Sequence, residues 1–150
     1  MILRATLILA GLTLGAGAVI AQSDPMKDRK DIMKGMGMPF YVTLNRMQRG
    51  QAPYDQATVD QAFAYIAANA PKLPTLYPDS SKNVPSTDDF GPSSKVWDNK
   101  ADFAARIDKL VKVAAENQPK VKDVEGLKVG FANVRRECDS CHEVYRVEKK

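Results

Sequence analysis

The stretch LKVGFANVRRECDSCHEVYR, residues 127–146, decides the fold. Its apolar residues Leu127, Phe131, Val134, Cys138, Cys141 and Tyr145 recur at steps of three and four, the spacing of one helical face. Both cysteines of the chain and its one histidine fall inside it, as Cys138, Cys141 and His142. Positions i, i+3 and i+4 of a helix share a face, so two thiols and an imidazole are expected to project to one side. Eight residues follow His142, and a partner for that side is expected from earlier in the chain.

The order C-x-x-C-H is the attachment motif for c-type haem. Two thiols three residues apart on a helix suit the two vinyl-derived carbons on one porphyrin edge. The imidazole of the next residue then reaches the iron from the same side. Other uses of the group are less well served. A structural zinc site takes four ligands, and this cluster offers three. A thioredoxin-like redox pair belongs near a βαβ pattern, and no strand periodicity of that kind is present. With no second histidine, bis-histidine ligation within the chain is excluded, and the remaining soft ligand is a methionine thioether. The candidates downstream of the leader described next are Met26, Met33, Met36, Met38 and Met47.

The chain opens with MILRATLILAGLTLGAGAVIA, residues 1–21. Arg4, an uncharged apolar run from Ala5 to Ile20, and small or β-branched residues before a cut after Ala21 are the parts of a secretory signal peptide. The run is short of the roughly 20 residues that span a bilayer and is rich in Gly and Ala, which argues against a retained anchor and stable membrane insertion. Residues 22–150 then form one domain, in an oxidising compartment. Loss of Arg4 takes the formal charge of +4 to +3. That balance, without basic runs interleaved with aromatics, excludes a nucleic-acid-binding surface.

Three further stretches carry a helical period: Met33, Met36, Phe40, Leu44 and Met47; Val59, Phe63, Ile66, Ala67 and Ala70; Phe103, Ile107, Leu110, Val111 and Ala114. One apolar stripe on each of four helices is what an all-α antiparallel bundle needs. Asp55 and Asp123 stand where helix N-caps are expected. Prolines at 71, 74, 78, 85 and 92 predict a long irregular connection over 71–93 that covers or lines something. Trp97, just beyond it, is expected to anchor the core. The first helix carries Gly35, Gly37 and Pro39. An interior proline costs about 3 kcal/mol and a glycine up to about 1, so either the helix breaks there or its backbone lies close to a bulky object.

The motif near the C-terminus, the four helical stretches and RKDIMK in the first helix together resemble the class II c-type cytochromes. That is the cytochrome c′ family with its low-spin cytochrome c-556 relatives. GQAPYD at 50–55, LPTLYPDSSK at 73–82 and SSKVW at 93–97 strengthen the resemblance, which spans residues 22–150, and LPTLYPDSSK points to the c-556 branch. It implies an up-down-up-down four-helix bundle around one covalently bound haem c, tethered by Cys138 and Cys141 and ligated by His142. In the c-556 branch a methionine set as Ile32-Met33-Lys34 binds the iron, which implies Met33 as second axial ligand. It also implies Arg29 near the haem propionates and Arg146 near the face occupied by His142.

The expected function is a periplasmic, non-enzymatic carrier of single electrons between redox proteins. The alternative is a five-coordinate cytochrome c′-type protein that binds NO or CO, with Met33 beside the iron rather than on it. Arg135, Arg136, Lys149 and Lys150 form a candidate basic rim for a redox partner. The residues leave both a monomer and a homodimer open.

Overall fold

The computed structural model describes residues 24–85 and 88–148. The leader assigned to 1–21, and Lys149 and Lys150, lie outside the described residues. The fold is an antiparallel up-down-up-down four-helix bundle. Its first helix begins as α1, Pro25–Gly37. The Asp24 carboxylate accepts from the backbone N–H groups of Met26 (3.0 Å) and Lys27 (3.1 Å), and Pro25 takes the first turn, where its missing N–H costs nothing. The second helix is α3, Gln56–Asn69, capped by Asp55, which accepts from Thr58 N–H at 2.7 Å. A short α4, Lys95–Asp98, leads into the third, α5, Lys100–Asn117. The fourth is α6, Val124–Tyr145, capped by Asp123, which accepts from Gly126 N–H at 2.8 Å. Both acidic caps therefore stand where the sequence predicted them.

Helix 1 does not break at Pro39. It passes from α1 into a π-helical segment, Met38–Leu44, and on into α2, Asn45–Gln48. Proline has no N–H to give to the carbonyl four residues back, and its ring collides with that carbonyl in an α-helix. Widening the turn to i→i+5 bonding relieves both problems while the chain keeps its direction. The helix ends at Gly50, whose φ of 69° lets the chain reverse. Gly35 has a different use. A Cβ there would stand 2.2 Å from the Tyr65 hydroxyl oxygen, so its bareness lets α3 approach α1. The bulky object that this glycine admits is a tyrosine of the bundle.

The described parts of 71–93 carry more regular structure than predicted. It contains 3-10 turns at Ala70–Leu76 and Asp79–Ser81, a winding that tolerates its prolines, and a strand, β1, Phe90–Pro92. This strand pairs antiparallel with β2, Arg146–Glu148, immediately after α6. Three-residue strands are too short to leave the alternating pattern that a sequence reading looks for. Ser93 adds two bonds to the end of α6: its N–H donates to Tyr145 O (2.9 Å) and its hydroxyl to Val144 O (3.0 Å).

In the core, α5 packs along α6, α3 lies between α1 and α5, and the π segment rests on α6. Phe40, Leu44, Phe63, Ile66, Leu73, Ile107, Leu127 and Val134 are fully buried. Trp97 is buried as expected, and its indole N–H donates to Pro78 O at 3.0 Å. In α3 the buried alanine is Ala62; Ala67 faces solvent. Phe40 stacks on Phe131 with ring centroids 4.7 Å apart, which joins helix 1 to α6. At the far end of α6, the Tyr145 hydroxyl donates to Asp102 on α5 at 2.6 Å.

Two outcomes follow from this packing. Gly35→Ala is expected to lower unfolding free energy by about 1–3 kcal/mol, measured by denaturant titration, because the added methyl meets Tyr65. The bonds from Tyr145 and Arg106 hold the Asp102 carboxyl below its ordinary value of 3.8. A group depressed on folding contributes stability above its unfolded value and loses it as pH falls through the folded one. Asp102→Ala should therefore be less stable than the parent at pH 7, with the difference shrinking as the solution is taken below pH 3.8.

Candidate haem site

Cys138, Cys141 and His142 stand on one face of the last turns of α6 and line one end of a cleft. Helix 1 forms the opposite wall through Met33, Met36, Gly37, Phe40 and Tyr41. Ile66, Leu73, Ile107 and Leu110 close the sides with apolar surface. The atom-free space, open mouth included, is about 540 Å³.

Two charged side chains enter this wall, and each is held. Glu137 is buried and pairs with Lys109 Nζ at 3.0 Å. Arg106 donates through Nε to Asp102 at 2.8 Å and through Nη1 to Ser140 O at 3.1 Å. The second bond fastens the guanidinium to the backbone between the two cysteines.

No disulfide joins Cys138 to Cys141. Burial pushes the Cys138 thiol up to about 11 and raises that of Cys141. Burial, assisted by the charge of Arg146, lowers the His142 value, which favours the neutral imidazole that binds metals.

The structure divides the five candidate methionines. Met38 is 61% exposed, Met47 is buried in the core, and Met26 stands outside the cleft. Met33 and Met36 both line it.

Arg29 is buried one helical turn before Met33, outside the cleft wall. Its Nη1 donates to Leu76 O (3.4 Å) and Ser81 Oγ (3.3 Å), and its guanidinium carbon lies 4.7 Å from the centre of the Tyr77 ring. Among the described residues it has no carboxylate partner. Arg146 follows His142 in β2 and lies 4.6 Å from the Phe90 ring centre. In the predicted basic rim Arg135 is tied to Asp139 at 3.1 Å, and Arg136 is exposed.

Sequence reading missed Tyr41, Arg106, Ile66 and Leu73 as cleft residues. Ile66 was legible as core but not as wall. Leu73 lies in the connection expected to cover something, which was a signal. Tyr41 and Arg106 gave none, since a polar or aromatic residue beside an apolar stripe is common.

These residues fit a haem. A slit between helices with apolar sides accepts a flat apolar ring. Among the described residues no group of three or more His, Cys, Asp or Glu side chains can hold a bare metal ion. One imidazole with a thioether wall suits instead an iron that arrives with four ring nitrogens and needs only axial ligands.

The sequence model of the cytochrome c′ family matches residues 24–146. The chain is 35% identical over 145 residues to cytochrome c-556 of Rhodopseudomonas palustris, covering 96% of this chain and 97% of the relative. It is 36% identical over 149 residues to cytochrome c′ of the same organism, covering 99% of each. The solved structure of cytochrome c′ from Rhodopseudomonas palustris superposes with a TM-score of 0.78 at 36% identity, over 86% of this chain and 100% of that one. The cleft, its thiols and imidazole, the bundle and these likenesses agree: the chain belongs to the cytochrome c′ family and is a haem protein with a covalently attached c-type haem.

Proposed function

We propose that the protein is a periplasmic carrier of single electrons, with His142 and Met33 as axial ligands of the haem iron. The haem supplies a one-electron Fe(III)/Fe(II) couple. The observation that carries this reading is that Met33 on α1 and His142 on α6 line one cleft from different helices. A thioether opposite an imidazole raises the potential and leaves no open position for a gas. Met36 lines the same wall, and the setting Ile32-Met33-Lys34 favours Met33 over it.

Arg29 supports the same site. A buried cation whose partners among the described residues are neutral acceptors and a ring favours an anion beside it, and the haem carboxylates offer two. Export is supported by the leader at 1–21, and no described helix is long and apolar enough to cross a membrane. The exposed Arg136, with Arg135 beside it, gives an acidic redox partner a place to dock near the haem-bearing turn.

The oxidised protein is expected to give a low-spin optical spectrum, and the reduced protein to bind CO slowly at neutral pH. Met33→Ala should turn the spectrum high-spin and admit CO, while Met36→Ala should change neither. Rapid CO binding by the unmodified reduced protein would instead establish the five-coordinate, gas-binding alternative. A low-spin spectrum that survives in Met33→Ala and is lost in Met36→Ala would move the ligand by one turn.

A further inference from the structure

Helix 1 meets α6 through α2 and through the π segment, where two neighbouring residues make different contacts. Deep in the bundle, Phe40 stacks on Phe131. At the cleft, the Tyr41 hydroxyl donates to Asp139 Oδ1 at 2.9 Å. Asp139 stands between the two cysteines, and its second oxygen accepts from Arg135 Nε at 3.1 Å. The same tyrosine also hydrogen-bonds the Cys138 side chain, so the side-chain hydrogen bonds described between helix 1 and α6 converge on Tyr41. Stacked rings tolerate sliding, whereas a hydrogen bond to a carboxylate fixes both distance and direction. Burial pushes the Tyr41 phenol far above its ordinary value, so it remains a donor.

The π segment places this tyrosine. An α-helix advances about 100° per residue, so positions eight apart drift by about 80° around it. The wider turn of Met38–Leu44 advances each residue by less and cancels much of that drift. Met33, Gly37 and Tyr41 therefore stay in one row, and all three line the cleft. Tyr41 is at one end of the row and Met33 is two turns away at the other. Gly37, between them, would find no atom within 4 Å of a Cβ, so the middle of the row is open.

We propose that the Tyr41–Asp139 hydrogen bond is a latch that sets the distance from the Met33 row to α6, and so decides whether the iron is closed to a diatomic gas or open to it. The inference rests on Met33 as the closing ligand. Tyr41 is a positioning residue: it holds the wall that carries the sulfur.

The test uses the haem-loaded protein, with CO as the probe of the reduced form. Tyr41→Phe keeps the ring and removes the donor. It is expected to speed CO association by roughly tenfold or more and to raise the high-spin fraction of the oxidised form. Amide hydrogen exchange across 38–44 should rise with it. Asp139→Asn keeps an acceptor oxygen and should stay within about twofold of the parent. Asp139→Ala should behave like Tyr41→Phe and carries the test should that variant fail to fold. A parent that is low-spin and slow, with Tyr41→Phe and Asp139→Ala matching it, overturns the latch and leaves Met33 as ligand. A parent that is itself high-spin and fast overturns both.

Discussion

The face of α6 that carries Cys138, Cys141 and His142 is covered where helix 1 lies across it, and helix 1 can do so only if it continues past Pro39. A break at the proline would remove the stacked pair Phe40–Phe131 and the Tyr41 side of the cleft together. The chain meets the constraint by widening the turn over Met38–Leu44 instead of ending it. Gly35 brings α3 against the same helix through Tyr65, so the wall is supported from behind. The cleft thus depends on a local irregularity that keeps a long helix whole.

Partial burial then sets the chemistry. Burial raises both thiols and lowers the imidazole. The turn that bears it is fastened by several elements. Arg106 holds Ser140 O, Tyr145 reaches Asp102, and Ser93 binds the carbonyls of Val144 and Tyr145 at the end of the helix. These contacts come from α5 and from the connection before it. A site fixed by several elements can keep an imidazole in place while the opposite wall varies, which suits a family whose members differ in what faces the iron.

The sequence was most legible where chemistry and period coincide. The spacing of Cys138, Cys141 and His142, the acidic caps Asp55 and Asp123, and the stripes through Phe63, Ile107 and Phe131 all appear in the structure where they were expected. It was least legible where tertiary packing overrides a local rule. Gly35 and Pro39 left a break and a close approach equally open, because propensity counts their cost without the neighbours that repay it; the structure shows the close approach at Gly35 and no break at Pro39. Ala67 fell on the wrong face because an alanine contributes too little apolar area to fix a register. The β1–β2 pair was invisible because three residues carry no period, and its register depends on where α6 ends. Arg29 needed the resemblance to be noticed at all; the structure shows it buried, with no carboxylate partner among the described residues.

The central claim is that the Met33 sulfur closes the cleft onto the iron opposite His142. Methyl-labelled methionine NMR on the reduced, diamagnetic protein tests it most directly. A methyl group held on the iron lies over the porphyrin and is shifted far upfield by its ring current. The account predicts one methionine methyl far outside the ordinary range, absent in Met33→Leu. Methionine methyls that all resonate in the ordinary range would contradict it.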